Sequence, residues 1–340
     1  SDDAGEFAIS TSLTRRPLTL VISHLNYRTQ TLEVNDLSTP LRIALVPKAA
    51  VLTQINIEDD NNRAKNLKEF HAVLIGTDNW GQNASMLNDE VVFFDRDYER
   101  SSVTMRGQGA YDFLRNRKLR NAEWSDDKKK LTYDRELNLK ATTNGALRIS
   151  LPDVGYVIHL DLQEFTNDYQ SRQTSFLGTS FYQAVENLKP KQLKRVVANR
   201  ERAYWGSRMH FARSLVRDSL AENGFALYEI ISEKKFSKEI ETAPVDLSDS
   251  LSYNELGFYE LRNLAGRQFA VLYFGDRKYR PLPPTRRKGV PPIQSRFFMV
   301  APVARIFPDG SLGDPYLVFS GDIGQRAMAW SLPSDYAPPE

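Results

Sequence analysis

Cysteine is absent from the 340 residues of this chain. The absence excludes disulfide bonds, thiolate catalysis and zinc sites with cysteine ligands. Histidine is also scarce, and none of the four histidines belongs to an H-E-x-x-H or H-x-x-E pair of the kind that zinc peptidases use. These residues are His24, His71, His159 and His210. We therefore predict that the chain holds no cofactor and no metal ion.

The chain also lacks an excess of one charge and lacks long apolar runs. Its 45 Lys and Arg residues nearly balance its 43 Asp and Glu residues, so that the net charge is +2. So small a net charge creates no overall field toward nucleic acid or an anionic membrane. No run reaches the roughly 18 apolar residues that a membrane-spanning helix needs. We predict no nucleic-acid partner and no transmembrane span.

The first 57 residues contain a series of short β-rich runs separated by turn residues. Such runs over 18–27, 40–47 and 51–57 are typical of a small antiparallel sandwich. A turn at residues 2–7 comes before all of them, with no earlier strand to pair with the strand that follows. The sequence therefore predicts an incomplete sandwich domain over 1–57, and we expect the natural fold to extend further toward the N-terminus.

The same residues resemble a known family. The turn from Asp2 to Phe7 resembles the T-D-x-D-G-x-F turn of the carboxypeptidase-like regulatory domain. The segment Leu20–Tyr27 resembles that family's L-x-V-S-x-I-G-Y strand, and Leu41–Pro47 resembles its closing strand. The sequence departs from the family pattern at Ala4, where an acidic residue is usual, and at Asn26, where glycine is usual.

This resemblance implies a prealbumin-like β-sandwich without catalytic residues of its own. It also implies a protein of the Gram-negative cell envelope, in the periplasm or associated with the outer membrane, where this domain is often fused to TonB-dependent transporters. The segments Ala203–Phe211 and Leu332–Tyr336 resemble the uncharacterised region that often follows the domain. No function is implied by that second resemblance.

Residues 63–336 predict a second, larger domain. Apolar residues at helical spacing predict a helix over 63–76. Alternation predicts a strand over 155–165, with Tyr156, Ile158, Leu160 and Leu162 on one face. An apolar stripe predicts one long helix over 199–222, packed against a sheet. Further strands are predicted over 225–231, 269–274 and 297–300, and a hairpin over 305–319. The predicted class is α+β, with an incomplete N-terminal sandwich followed by a larger, mainly antiparallel sheet domain.

Ser207 and His210 form the first candidate site. They are three residues apart on the predicted long helix, so they share a face and could act as nucleophile and base. A serine nucleophile, however, normally lies on a strained turn beside oxyanion-hole donors. We interpret these residues as packing and polar contacts of the helix.

A second candidate is the acidic segment around Asp95, Asp97 and Glu99, with Asp89 and Glu90 before it. Acidic residues at alternate positions occur in some calcium loops. The segment lacks the central glycine and the distal glutamate of an EF-hand loop, and neighbouring arginines supply opposite charge. We interpret it as a solvated strand or turn.

The third candidate is a basic loop between two predicted strands. Its prolines favour an extended conformation, and its cations suit an acidic partner, a lipid headgroup or a polyanion. A solvated hairpin loop is the simpler interpretation. The candidate docking residues are Arg277, Lys278, Tyr279, Arg280, Arg286, Arg287 and Lys288.

Three classes of function fit the sequence. The favoured one is a non-enzymatic envelope protein that binds a protein, peptide or glycan partner. The second is a structural subunit of an outer-membrane transport or secretion assembly, because an open sandwich edge invites strand pairing. The third is a hydrolase with an unrecognised site around His210, which predicts a pocket where His210 meets a carboxylate.

Overall fold

The structure is a computed structural model. It describes residues 6–8, 18–22, 27, 30–34, 36, 40–46, 60–105, 119–127, 129–234, 237–240, 243–313 and 316–339. Residues 2–5 of the expected turn and the whole expected strand over 51–57 lie outside this description.

The fold is α+β, as the sequence predicted. Strands predominate, the sheets are antiparallel and the helices are few. The α-helices among the described residues are α1 (Asp60–Leu74), α2 (Asn79–Asn83), α3 (Pro190–Tyr204), α4 (Arg208–Val216) and α5 (Asp322–Gln325). The strands of the first half are β1 (Leu18–Ile22), β2 (Gln30–Val34), β3 (Ser85–Met86), β4 (Val92–Asp95), β5 (Tyr98–Thr104), β6 (Arg120–Trp124), β7 (Lys130–Glu136), β8 (Asn138–Thr143), β9 (Leu147–Leu151), β10 (Tyr156–Asp168) and β11 (Gln173–Ala184). Those of the second half are β12 (Phe225–Lys234), β13 (Ser237–Ile240), β14 (Leu251–Asn254), β15 (Phe258–Arg262), β16 (Gln268–Tyr273), β17 (Ile293–Met299), β18 (Val303–Ile306) and β19 (Leu317–Gly321).

The chain divides into two compact units. Unit 1 comprises Ser1–Ala49, Leu188–Arg326 and Trp330–Glu340, and unit 2 comprises Ala50–Asn187 and Ala327–Ala329. Residues of the predicted larger domain, 63–336, therefore occur in both units. The predicted sandwich over 1–57 stays a prediction, since the described part of it holds one antiparallel pair, β1 with β2.

Unit 2 is built on a six-stranded sheet with the order β3-β9-β10-β8-β4, to which β11 adds by pairing with β10. The predicted buried face of β10 is confirmed, because its four apolar residues from Tyr156 to Leu162 are all buried. The alternation ends at Asp161, which belongs to the other face and is buried as well. Helix α1 covers this core with Phe70, whose ring lies 4.9 Å from that of Phe165 and 5.6 Å from that of Phe94. A separate three-stranded sheet has the order β5-β7-β6.

Unit 1 contains a five-stranded sheet with the order β13-β12-β16-β17-β19 and a three-stranded sheet with the order β14-β15-β18. The strands predicted over 225–231, 269–274 and 297–300 correspond to β12, β16 and β17. Aromatic side chains fill the core between helix α4 and the larger sheet. Phe269 stacks on Phe297 at 4.8 Å, and Phe211 of α4 meets Phe225 at 5.4 Å.

The prediction of one long helix over 199–222 was wrong, because the chain forms α3 and α4 with a turn between them. Gly206 adopts φ of +71°, a conformation that favours glycine. Ser207 then begins the second helix, since its hydroxyl oxygen accepts a 3.1 Å hydrogen bond from the backbone N–H of His210. Gly206 therefore ends the first helix and Ser207 begins the second, so Ser207 does not lie within one long helix as predicted.

The predicted hairpin over 305–319 is shorter than expected, because its antiparallel bridge lies between Ile306 and Leu312. The turn at Pro308–Gly310 is present, with Gly310 at φ of +81°. Its flanking strands join different sheets, however, because β18 pairs with β15 whereas β19 pairs with β17.

Candidate functional site

Helix α3 supplies half of the candidate site. It begins at Pro190, whose fixed φ suits the first helical position. The backbone N–H of Lys189 donates to the side-chain oxygen of Gln192 at 3.1 Å, which satisfies a donor that the helix leaves free. One side of α3 buries Val196 and Ala203 in unit 1. The opposite side is exposed.

The exposed side of α3 borders a shallow, open depression of about 610 Å³, whose lining residues all belong to this helix or directly precede it. Positions three and four residues apart lie on one face of a helix, so Lys191, Lys194 and Arg195 share a face with Ala198. The lining residues are Lys189, Lys191, Gln192, Lys194, Arg195 and Ala198.

A second cavity, of about 340 Å³, shares Ala198 with the first. We call the two together the basic groove. Their linings contain eight basic side chains and one acidic side chain, that of Glu201. The second lining consists of Ala198, Asn199, Glu201, Arg202, Arg277, Lys278, Tyr279 and Arg280. Residues of α3 and of the first half of the predicted docking loop thus line the same groove.

That half of the loop is tightly folded. One oxygen of Asp276 accepts hydrogen bonds from the backbone N–H groups of Lys278 at 2.7 Å and Arg280 at 3.0 Å. Tyr279 takes a left-handed conformation with φ of +65°, and its carbonyl oxygen accepts a hydrogen bond from the hydroxyl of Tyr273. These bonds hold the backbone of the loop, from which the basic side chains extend.

Two contacts attach the loop to helix α3. The guanidinium of Arg280 donates to the carboxylate of Glu201 at 2.7 Å, and this bond raises the pKa of Arg280 above its usual value. The guanidinium of Arg202 lies 5.0 Å from the ring centre of Tyr279, within the range of a cation–π contact. Arg277 and Lys278 remain exposed.

Arg287, in the second half of the loop, has a structural role. Its guanidinium donates to the carbonyl oxygens of Leu282 at 3.0 Å and Phe225 at 3.2 Å, and also to that of Ala221. The same group lies 4.9 Å from the ring centre of Phe274, and burial lowers its pKa. The guanidinium of this predicted docking residue is therefore engaged in contacts within unit 1.

Arg286 and Lys288, on either side of Arg287, are exposed. Neither lines the basic groove. The seven residues predicted for docking therefore separate into three kinds of position. Arg277, Lys278, Tyr279 and Arg280 line the groove, Arg287 anchors the loop, and the two flanking cations project from the surface.

Ser207 and His210 lie where the chain turns from α3 into α4. The serine hydroxyl is the N-cap of α4, as described above, and the Nδ1 atom of His210 accepts the backbone N–H of Gly206 at 3.1 Å. Since Nδ1 accepts a proton donor, Nε2 carries the ring hydrogen, and it lies 3.3 Å from the side-chain oxygen of Asn223. Both ring nitrogens are thus engaged in holding the turn.

Burial keeps His210 neutral. The side chain is 1% exposed, and desolvation lowers its pKa to about 3. Aromatic rings surround the imidazole, among them Trp205 at 4.9 Å and Phe225 at 4.9 Å. The hydrolase hypothesis required a carboxylate beside His210 in a pocket, whereas the side-chain partner of its Nε2 is the amide of Asn223.

The acidic segment from Asp95 to Glu99 is paired within unit 2. Asp97 accepts a 2.8 Å hydrogen bond from the side-chain amide of Asn138, which lowers its pKa, and forms a 2.6 Å ion pair with Lys140. Arg96 is nearly buried and pairs at 2.8 Å with each of two glutamates, Glu69 and Glu136. Over the part of the chain that the structure describes, no group of three or more His, Asp or Glu side chains could hold a metal ion.

Sequence reasoning missed the first wall of the groove. We had begun the long helix at residue 199, so the basic residues of 189–195 belonged to no element. A signal was present, since Pro190 marks a helix start and Lys191, Lys194 and Arg195 have the spacing of one helical face.

Comparisons of this chain with protein-family models, with curated proteins and with solved structures found no match. The resemblance to the carboxypeptidase-like regulatory domain therefore rests on its sequence motifs. In the described ranges, no helix combines the length and the apolar character needed to cross a membrane.

Proposed function

We propose that this chain is a non-catalytic cell-envelope protein whose basic groove binds an acidic segment of a partner protein or peptide. The observation that best supports this proposal is the concentration of positive charge in the groove. Eight basic and one acidic side chain line the groove, whereas the whole chain has a net charge of only +2. The one acid, Glu201, is itself paired with Arg280. The assignment to the cell envelope rests on the family resemblance.

Apolar side chains beside the groove favour a polypeptide over a glycan. Leu193 and Val197 are 50% and 38% exposed and lie four residues apart on α3. A peptide can present apolar side chains to this stripe and carboxylates to the neighbouring cations. A purely anionic glycan has no apolar side chains for the stripe.

The length of the groove sets the size of the bound segment. From Lys189 to Arg202 the helix rises about 20 Å, at about 1.5 Å per residue. An extended peptide of about six residues covers that distance, at about 3.3 Å per residue. We therefore expect the groove to recognise a short, extended segment with acidic and apolar residues in alternation.

Fluorescence anisotropy with a labelled peptide of alternating Glu and Leu tests this function. The triple variant Lys191→Ala, Lys194→Ala, Arg195→Ala should weaken binding by about tenfold or more, since each exposed charge contributes a factor of about two to five. A matched control replaces three exposed basic residues outside the groove, Lys68, Lys129 and Arg172, with alanine. Equal losses in both variants would show general attraction to positive charge and would contradict a defined site.

A further inference from the structure

Strand β11 is a long and exposed edge of the main sheet of unit 2. Its 12 residues pair with β10 along their whole length, and among the described strands β11 has no partner on its other side. Every residue of β11 is exposed except Tyr182, which is half-buried. Within the described part of the chain, this edge is therefore open to pairing with a further strand.

The edge lacks the features that usually prevent strand pairing. Natural edge strands are protected by charged residues, by proline or by bulges. Residues 173–184 include no charged residue and no proline. The irregularity in this pair falls between Leu162 and Glu164, on β10, so β11 itself alternates regularly. Large apolar side chains are exposed on it: Phe176 at 47%, Leu177 at 59% and Phe181 at 61%.

We propose that β11 pairs with β11 of a second copy of this chain, antiparallel and centred on Thr179, so that the two sheets become one. With a two-fold axis through Thr179, a residue that precedes Thr179 by a given number of positions lies opposite the residue of the second copy that follows Thr179 by the same number. Leu177 then faces Phe181 of the second copy, and Phe176 faces its Tyr182. Thr179 faces its own equivalent.

The pattern of β11 favours a second copy over a different chain. Residues opposite each other across an antiparallel pair must share a face, because side chains alternate with a period of two. The register centred on Thr179 satisfies this condition and brings both apolar pairs together at once. Aromatic–aliphatic and Thr–Thr pairs stabilise neighbouring strands. An uncharged strand offers nothing that would select a charged partner. This pairing is independent of the basic groove, which belongs to unit 1.

Cysteine crosslinking tests the register, because the chain has no cysteine of its own. In this pairing, Thr179→Cys places two thiols directly opposite, with Cα atoms about 4.5 to 5.5 Å apart, within the range that a disulfide spans. Thr174→Cys on the same strand is the control. Its two thiols would lie ten residues apart along the paired strands, about 34 Å.

Under mild oxidation, the Thr179→Cys chain should form a covalent dimer at least about tenfold faster than the Thr174→Cys chain. Equal rates for the two variants would overturn the proposed register. A parent chain that sediments as a monomer at every concentration would overturn self-pairing itself.

Charged substitutions at Thr179 distinguish a loss of strand pairing between copies from a loss of folding. Thr179→Lys places two like charges opposite each other, as does Thr179→Glu, so each variant alone should sediment as a monomer. An equal mixture should restore a dimer, since opposite charges then face across the axis. A mixture that stays monomeric, although both variants keep the parent circular dichroism spectrum, would contradict the proposal. Dimers of either variant alone would contradict it as well.

Discussion

Arg280 and Glu201 form a 2.7 Å ion pair that joins the 276–281 loop to helix α3. The pair has two consequences for the basic groove. It adds to the Arg202–Tyr279 contact between the loop and the helix, and it neutralises the single acidic side chain among the lining residues. The net positive charge of the groove therefore comes from the other cations of its lining, among them the exposed Arg277 and Lys278.

The first prediction concerns that acid. Glu201→Gln removes the negative charge and leaves Arg280 available to an acidic ligand. We expect tighter binding of the Glu-Leu peptide, by a factor of about two to five, the scale of one exposed charge. Anisotropy measurements at low and high salt would show the gain at low salt only. Weaker binding at both salt concentrations would mean that the ion pair is needed to shape the groove.

The second prediction concerns the turn between α3 and α4. A Cβ atom at Gly206 would lie 2.7 Å from the ring of Tyr273, at a position with φ of +71°. Gly206→Ala should lower the free energy of unfolding by about 1 to 2 kcal/mol for the left-handed backbone. The clash should add about 1 to 3 kcal/mol more.

Gly266→Ala is the matched control for this measurement. Gly266 has φ of +80° and open space where its Cβ would be, so that only the backbone term applies. Urea unfolding of both variants isolates the cost of the contact with Tyr273. Equal losses of stability would contradict the close packing of the turn.

The third prediction is a dependence of stability on pH. Burial lowers the pKa of His210 to about 3, whereas an unfolded histidine titrates near 6.5. Between these values the unfolded chain takes up a proton and the folded chain does not. The contribution of this group to stability is therefore full above about pH 6.5. It decreases toward pH 3, by up to about 1.4 kcal/mol per pH unit.

His210→Gln should remove this part of the pH dependence, and urea unfolding at pH 7.5 and pH 5 measures it. The variant should also be less stable at pH 7.5, by about 2 kcal/mol, because two buried hydrogen bonds change. His159→Gln, which keeps His210, should retain the dependence. An unchanged slope in the His210→Gln chain would show that other groups cause it.

The fourth prediction separates neighbouring cations of the loop. Arg287→Ala should reduce the free energy of unfolding by about 2 kcal/mol, because three carbonyl oxygens lose a charged donor. Lys288→Ala should change it by less than about 0.5 kcal/mol, as is usual for exposed positions. Thermal unfolding of the two variants makes the comparison. Similar melting temperatures would contradict the anchoring role of Arg287.

Sequence patterns predicted those strands and helices in which buried apolar residues recur at a regular spacing. Strand β10 was predicted with its buried face because alternation alone reports which side chains enter a core. The break at Gly206 was missed because the apolar stripe continues across it from Trp205 to Leu220. The spacing of apolar residues does not show that the chain changes direction at Gly206, because the helices on both sides of it bury apolar residues.

The groove and the exposed edge depend on contacts between distant parts of the chain. Lys191 and Arg277 are far apart in sequence, and only the packing of the 276–281 loop on α3 brings their walls together. The docking loop was found from its charge, but the partner wall was not. Similarly, which strand forms the edge of a sheet depends on the order of the strands, and the residues of β11 alone do not reveal that order.

Charge reversal in the groove tests the central claim most directly. The triple variant Lys191→Glu, Lys194→Glu, Arg195→Glu should lose affinity for the Glu-Leu peptide and gain affinity for a Lys-Leu peptide of equal length. The dissociation constants of both peptides for both chains are measured by anisotropy at one salt concentration. The account predicts that the preference inverts. A reversed chain that still prefers the acidic peptide, with its circular dichroism spectrum unchanged, would contradict it.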